Sequence, residues 1–258
     1  MLILNSYFDD VPRAALYQWT GKINFKLTVL TPFSHYIESV ENLELNLGFN
    51  FEDSTEAYGS CSVVFKNRMM VFGGYAGVSA KQIAEVKSCS LEKVGVLSFE
   101  FYYGACGTYD FSTEEVLLCF PSDGRSCWKF TESYVTEDAS STFKHVYSTL
   151  GTYDDKPVGI AGYFTNEVEM YSNNEWSMLA PISDVPRVHE FSTITRAGIL
   201  YVFGGADGAT YQSNVWEYNG QWKLGGSLLL TRTGHRSIIV NDTIIHVGGT
   251  SNEIGNYM

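Results

Sequence analysis

The amino-acid sequence predicts an all-β fold, a β-propeller with five to six four-stranded blades. Aliphatic runs recur along the chain, and their last residues are 74, 120, 162, 205 and 249. The steps of 46, 42, 43 and 44 residues between them have the length of one propeller blade. An apolar segment and a polar turn precede the runs, as residues 62–68 precede the run at 69–74, which is the pattern of a β-hairpin. Aromatic residues at 15% and 24 glycines favour short strands and tight turns.

The repeats share a glycine pair after the second strand, a tyrosine in the third strand and a tryptophan that opens the fourth. These residues are Gly73, Gly74, Gly162, Gly204, Gly205, Gly248, Gly249, Tyr171, Tyr218, Trp176 and Trp222. The third copy has Ala161 at the first glycine position, and Cys119-Phe120 replaces the pair in the second copy. Over residues 58–249 this pattern resembles the kelch-repeat family of the galactose oxidase-like propeller superfamily. The resemblance implies a kelch-type propeller whose tryptophans pack between neighbouring blades.

We expect residues 1–258 to form a single propeller domain, with a divergent part at 1–57 and the repeats at 58–258. The last copy stops before its third strand is complete, which is consistent with truncation at the C-terminus. Two strand-like segments, residues 2–5 and 14–17, are expected to complete the blade begun by residues 234–249. Residues 20–50 fit no repeat and are interpreted as an insertion or a partial blade.

Charge and hydropathy argue against two classes of partner. The net charge is −12, and the 17 basic residues form no Lys/Arg run, so the positive footprint of a nucleic-acid binder is missing. No window approaches 18 consecutive apolar residues, so we expect no membrane insertion. The first residues also lack the pattern of a secretory signal.

The cysteines fall in the first two copies, and some recur in phase. They are Cys61, Cys89, Cys106, Cys119 and Cys127. Such phasing favours disulfides and a secreted protein, while the alternative is a cytoplasmic protein with cysteines as small buried residues. Cys106 and Cys119 lie on two arms of a predicted hairpin and are one geometrically plausible pair. A single sequon at Asn241 is compatible with export.

No catalytic motif or cofactor-binding fingerprint is visible, so we expect neither an active site nor a cofactor. His145, His189 and His235 lie 44 and 46 residues apart at the start of the innermost strands. They could ring the channel and hold a metal, but a packing role is the preferred interpretation, and no metal site is assigned. A copper oxidase resembling galactose oxidase would need a tyrosine–cysteine cross-link, for which Tyr109 and Cys106 are close in sequence.

The kelch resemblance implies that partners bind at one end of the ring. The loops after the glycine pairs contribute Tyr75, Tyr163, Asp207 and Tyr211. The loops that enter the first strands contribute Tyr102, Tyr103, Arg187 and Arg232. Tyrosine and arginine dominate interface energetics, so we expect a non-enzymatic protein-interaction module whose arginines would suit an acidic peptide. The alternatives are that these residues only cap the blades, or that the chain is a carbohydrate-binding or galactose-oxidase-like propeller enzyme.

Overall fold

The computed structural model describes residues 28–30, 36–37, 59–74, 81–87, 90–110, 115–132, 134–182, 187–208, 210–240, 243–247 and 249–251. All regular structure in this part of the chain is β-strand, which confirms the predicted fold class. No helix among these residues has the length and apolar character needed to cross a bilayer.

Four antiparallel sheets are each built from one segment of the chain, and they are the blades of a β-propeller. Blade 1 contains β3 (Cys61–Phe65), β4 (Arg68–Phe72), β5 (Gln82–Lys87) and β6 (Ser90–Val96). Blade 2 contains β7 (Ala105–Asp110), β8 (Glu115–Cys119), β9 (Cys127–Phe130) and β10 (Val135–Asp138). Blade 3 contains β11 (Leu150–Tyr153), β12 (Lys156–Gly162), β13 (Thr165–Ser172) and β14 (Glu175–Leu179). Blade 4 contains β15 (Ser192–Arg196), β16 (Ile199–Phe203), β19 (Asn214–Tyr218) and β20 (Trp222–Ser227), and its central loop carries a small hairpin of β17 (Ala206–Asp207) and β18 (Thr210–Tyr211).

A further four-stranded sheet joins the two ends of the chain, and we call it the composite sheet. Its strands are β1 (Thr28–Leu30), β2 (Tyr36–Ile37), β21 (Arg236–Val240) and β22 (Thr243–Val247), in the order β2-β1-β22-β21. Val29 lies opposite Ile245 in the antiparallel pair of β1 and β22. N-terminal strands therefore pair with the last repeat. Residues 2–5 and 14–17, which were expected to do this, lie outside the described residues, and the total of five or six blades stays a prediction.

The first strand of each blade lies at the edge of its sheet, and these edges face one another in sequence order. β3 packs against β7, β7 against β11, β11 against β15, and β15 against β21. The first strands are therefore the innermost ones, next to the ring axis. Hydrophobic core fills the space between successive sheets, as where Leu117 and Phe120 of blade 2 pack with Leu150 and Tyr171 of blade 3.

The glycine pair allows the loop that enters the next blade to approach closely. A Cβ atom on Gly73 would lie 1.7 Å from the carbonyl oxygen of Phe101, and that oxygen accepts a hydrogen bond from the N–H of Gly74 (2.7 Å). Gly73 also has a φ of 62°, in the left-handed region. No side chain fits at this point without displacing the neighbouring blade.

The second copy shows how the turn forms without glycine. The N–H of Phe120 donates to the carbonyl of Ser126 (3.0 Å), as the N–H of Gly73 donates to that of Gln82 (2.9 Å). Phe120 also has a left-handed φ of 59° and is therefore equivalent to the first glycine of the pair. The residues that replace the glycine pair in the second copy are therefore Phe120-Pro121. The predicted pair, Cys119-Phe120, lies one residue too early.

The aromatic residues that recur in the repeats connect successive blades. Tyr171 and Tyr218 are buried, each in ring contact with the tryptophan of its own blade. The indole N–H of Trp176 donates to the carbonyl of Ala139 (2.9 Å), and that of Trp222 donates to the carbonyl of Ala180 (2.8 Å). Each acceptor follows the last strand of the preceding blade, so each tryptophan joins two blades. Gly248 lies outside the described residues.

Two disulfides lie within the part of the chain that the structure describes, and they confirm pairing for four of the five cysteines. Cys61–Cys106 joins the innermost strands of blades 1 and 2, whereas Cys119–Cys127 joins neighbouring strands within blade 2. The expected pair of Cys106 with Cys119 is wrong. Cys119 lies opposite Ala105 in the ladder, and Cys106 lies opposite Leu118, so the two cysteines point to opposite faces of the sheet. Cys89 lies outside the described residues, as does Asn241.

Candidate functional site

One end of the propeller gathers most of the residues that the sequence singled out. The first strands begin at this end, and the second strands, being antiparallel to them, finish there. The loops that enter the blades and the loops after the glycine pairs therefore meet at the same end. We call it the glycine end.

Five backbone positions form a repeating feature around the axis at this end. They lie two or three residues before each innermost strand and are Gly59, Tyr103, Tyr147, Glu190 and Gly234, spaced by 44, 44, 43 and 44 residues. All five have a left-handed φ, between 55° and 68°. We call this set the collar.

Hydrogen bonds link the collar positions of successive repeats. The N–H of Tyr103 donates to the carbonyl of Gly59 (2.7 Å), and that of Glu190 donates to the carbonyl of Tyr147 (2.8 Å). The N–H of Gly234 donates in turn to the carbonyl of Glu190 (2.8 Å). The main chain thus fixes the entry loops of blades 1 and 2 to each other, and it fixes those of blade 3, blade 4 and the composite sheet to one another. These bonds preorganise the site that the loops carry.

Three collar residues adopt the left-handed conformation although they have side chains. They are Tyr103, Tyr147 and Glu190, and each such residue costs about 1 kcal/mol or more of backbone strain. Glycine at the other two positions shows that the turn itself does not need a side chain. Strained non-glycine residues are concentrated at functional sites in proteins. The part of the collar that holds Tyr103, Tyr147 and Glu190 is therefore a candidate functional site.

Aromatic rings in contact extend from the collar across the glycine end, edge-to-face between the tyrosines and Phe164 and tilted at His189. We call this set the aromatic arc, and its members are Tyr102, Tyr103, Tyr147, Tyr163, Phe164 and His189. The ring centroids of Tyr103 and Tyr147 are 4.8 Å apart, and those of Tyr147 and Tyr163 are 6.1 Å apart. Tyr163 lies 5.2 Å from the ring of His189 and 5.0 Å from that of Phe164. Tyr163 is 44% exposed, so the arc reaches the solvent.

His189 is the buried polar residue of the arc. Its backbone pairs with Ala206, which anchors the loop to the small hairpin of blade 4. The side chain is 7% exposed, yet neither ring nitrogen has a hydrogen-bond partner among the described residues. Burial lowers the pKa of His189, and the Asp207 carboxylate opposes that shift only in part, so the imidazole is neutral at pH 7. A neutral imidazole has one donor and one acceptor nitrogen, and both are unused here.

The structure places the predicted contact residues in different environments. Tyr102, Tyr103 and Tyr163 belong to the aromatic arc, and Asp207 and Tyr211 lie half-buried on the small hairpin of blade 4. Their role as partner contacts stays a prediction.

The two predicted arginines differ from each other. Arg187 is exposed, whereas Arg232 is 8% exposed and the carbonyl of its main chain accepts a hydrogen bond from Gly205 (2.7 Å). Arg232 is therefore left out of the contact surface. Tyr75 lies outside the described residues.

The three phased histidines have separate surroundings. His145 is fully buried, with Nδ1 2.7 Å from the carbonyl oxygen of Ala161 and Nε2 3.0 Å from the Glu169 carboxylate. Burial raises the pKa of Glu169, but hydrogen bonds from His145 and from the N–H groups of Phe143 and Thr142 outweigh it and hold that pKa below its usual value. This polar cluster fixes the loop that enters blade 3.

His235 lies in another buried polar cluster, at the junction of blade 4 and the composite sheet. Its Nε2 is 2.8 Å from the Ser192 hydroxyl, which also hydrogen-bonds the Ser237 hydroxyl, and that hydroxyl is 2.6 Å from Nδ1 of His246. His145 and His235 thus serve local networks, whereas the ring nitrogens of His189 have no hydrogen-bond partner in the described part of the chain. No group of three or more metal-ligating side chains occurs among the described residues.

Cys106 is not a candidate for the tyrosine–cysteine cross-link of a copper oxidase. Its sulfur is bonded to Cys61, so it is not available for a cross-link to Tyr109.

Sequence reasoning missed Tyr147, Phe164 and Glu190. Tyr147 lies 44 residues after Tyr103, so its phase could have identified it. Glu190 could not be found this way, because the collar repeats a backbone conformation and not a residue type.

Comparison with known proteins supports the fold. No protein-family model matches the chain, and no curated protein matches it. Solved structures do match, and one of them, titled "Structure of YjhT", aligns with a TM-score of 0.65 at 14% sequence identity. The alignment covers 76% of this chain and 78% of the other. At that identity the likeness extends to the fold, and the chain is a β-propeller.

Proposed function

We propose that this propeller is a non-enzymatic, kelch-like interaction module that binds a protein or peptide through its glycine end. The observation that carries the proposal is the aromatic arc, an edge-to-face row of tyrosines that reaches solvent on a hydrogen-bonded collar. The contact surface comprises the arc with Arg187, Asp207 and Tyr211 at its rim.

The energetics of tyrosine support this choice. A tyrosine offers a large, rigid contact area with only two side-chain torsions to immobilise, so little conformational entropy is lost on binding. Tyrosines are also enriched among the residues that dominate interface energies. Main-chain bonds of the collar hold the loops that carry Tyr103 and Tyr147. The conformational entropy of these loops is therefore lost during folding and not on binding.

We further propose that the composite sheet is the fifth blade of the propeller. The strands β15 and β21 pack side by side in the same way as the innermost strands of blades 1 to 4, and core residues fill the space between them. Ile244 of the composite sheet packs with Phe203 and Val215 of blade 4.

We also propose that the protein is secreted. Two disulfides within one small region favour an oxidising compartment, because cytosolic thiols are kept reduced. Thiol titration of the natively isolated protein, denatured without reductant, should find one reactive thiol of five. Five reactive thiols would support the cytoplasm instead.

A displayed library of random dodecapeptides tests the binding function. We expect enrichment of peptides that bind the wild-type protein and that lose affinity for Tyr163→Ala. Tyr134→Ala is the matched control, because Tyr134 is 59% exposed and follows β9, away from the glycine end. Selected peptides that bind Tyr163→Ala and Tyr134→Ala equally well would refute the proposed surface.

A further inference from the structure

We propose that the aromatic arc selects a lysine or arginine side chain of its peptide partner. This inference rests on the proposed binding function and adds the chemistry of the ligand. It reverses the expectation of an acidic peptide, which depended on two exposed arginines, because Arg232 is buried.

The first argument is the nature of the rings. Aromatic faces carry the negative end of a quadrupole and attract ammonium or guanidinium groups within about 6 Å. The arc presents several such rings side by side, and Tyr163 and Phe164 are 44% and 55% exposed. A long basic side chain can lay its methylene groups along these rings and keep its charge at their faces.

The second argument is charge complementarity. The carboxylate of Asp207 acts on the buried histidine and lies on the strand that carries its pairing partner Ala206, whereas the carboxylate of Glu190 accepts a hydrogen bond from the Thr233 hydroxyl (3.1 Å). The whole chain carries a net charge of −12, which accelerates association with a basic peptide and slows it for an acidic one.

The third argument is His189 itself. A buried polar side chain without a hydrogen-bond partner costs free energy unless a ligand satisfies it. Both ring nitrogens are covered in this structure, so the N–H donor of a lysine or arginine reaches the acceptor nitrogen only if the side chains around His189 shift. A neutral imidazole also adds no positive charge to repel that group.

Fluorescent, end-blocked decapeptides test the inference. The probes are (Gly-Lys)5, (Gly-Glu)5 and (Gly-Ser)5, and their binding to the intact protein is followed by fluorescence anisotropy at physiological salt. We expect (Gly-Lys)5 to bind at least about tenfold more tightly than the other two. Tyr163→Ala and Tyr147→Ala should weaken (Gly-Lys)5 binding about fivefold. These variants and the Tyr134→Ala control keep the net charge, so they leave non-specific attraction unchanged.

Two further variants sharpen the assignment. His189→Phe keeps a ring in the arc but removes both nitrogens, and it should weaken (Gly-Lys)5 binding without lowering the melting temperature. Arg187→Ala removes a like charge near the arc and should strengthen binding about twofold. Weaker binding in Arg187→Ala would instead indicate an acidic ligand and overturn the inference.

The outcomes separate this inference from the proposed function. If (Gly-Lys)5 binds wild type and Tyr163→Ala equally, its attraction is non-specific and the basic-ligand inference is wrong. If library-selected peptides need Tyr163 but contain no lysine or arginine, the binding function holds and only the ligand chemistry is wrong. If no peptide needs Tyr163, both proposals are wrong.

Discussion

Blades 2 and 4 have the same four-stranded architecture, but different chemistry holds each of them. Blade 4 has the full repeat pattern, with Gly204-Gly205 at its turn and Trp222 bonded to the preceding blade. Blade 2 has Phe120-Pro121 at that turn and two disulfides, one internal and one to blade 1. Both blades therefore need a left-handed backbone at the turn after the second strand. In blade 2, disulfides replace part of the side-chain packing that stabilises blade 4.

The largest expected effect is the loss of the disulfide between blades. Cys61→Ala/Cys106→Ala should lower the free energy of unfolding by about 4 kcal/mol, because the disulfide closes a loop of 45 residues. Cys119→Ala/Cys127→Ala should cost less, about 2.5 kcal/mol, since that loop spans 8 residues. Urea unfolding measures both. Equal losses would contradict the dependence of the stabilisation on loop length.

The next effect concerns the glycine turn of blade 4. Gly204→Ala should cost about 3 kcal/mol, because the new Cβ would lie 2.4 Å from the Arg232 carbonyl oxygen at a left-handed φ. Gly208→Ala is the matched control, because its φ is equally left-handed but nothing lies within 4 Å of the added Cβ. Similar melting temperatures for the two variants would contradict the requirement for close approach.

Acid should weaken the region of blade 4 and the composite sheet before blade 2. Burial and the Arg232 charge lower the pKa of His246 to about 3, while an unfolded histidine titrates near 6.5. Between pH 6.5 and pH 3, His246 is protonated in the unfolded chain but neutral in the folded chain. Stability is therefore lost as the pH falls through this range.

From pH 7 to pH 5 this loss amounts to about 2 kcal/mol for His246. Hydrogen exchange at the two pH values, corrected for intrinsic rates, should show weaker protection in residues 235–247 than in residues 115–130 at the lower pH. The non-titrating variant His246→Asn should reduce the change. An equal loss of protection in both regions would contradict this assignment.

The smallest effect is that of the tryptophan hydrogen bond. Trp222→Phe keeps a ring between blades 3 and 4 but removes the donor to Ala180, so we expect a loss of about 1 kcal/mol. Trp128→Phe in blade 2 keeps a flat ring stacked on Phe99 and should cost less. A greater loss in blade 2 would reverse this part of the comparison.

The fold could be predicted because the close approach of neighbouring blades requires glycine at a fixed position in each repeat. Where two blades approach closely, as at Gly73, only glycine fits, and glycine pairs at a regular interval reveal the period. Blade 2 lacks the glycine pair, because Phe120 adopts the same left-handed conformation. The predicted alignment of that repeat was therefore wrong by one residue. The disulfide pairing was missed because a hairpin places Cys106 and Cys119 on opposite faces, which requires the register to be known.

The candidate site was predicted in part, for a similar reason. Tyr102, Tyr103 and Tyr163 could be identified from their loops, since the end at which those loops meet follows from the topology. The burial of Arg232 and the unpartnered nitrogens of His189 depend on packing around the axis, which no local pattern encodes. The collar repeats a conformation across Gly59, Tyr103 and Glu190, so residue identity conceals it.

Photo-cross-linking tests the binding surface most directly. A library-selected peptide carrying a photoreactive group is cross-linked to the wild-type protein, and the adducts are located by mass spectrometry. We expect adducts on Tyr102, Tyr103, Tyr147 and Tyr163 at the glycine end, with none on the outer strands β6 and β20. Adducts concentrated on Ser90–Val96 or Trp222–Ser227 would place the partner on the rim of the blades and contradict the account.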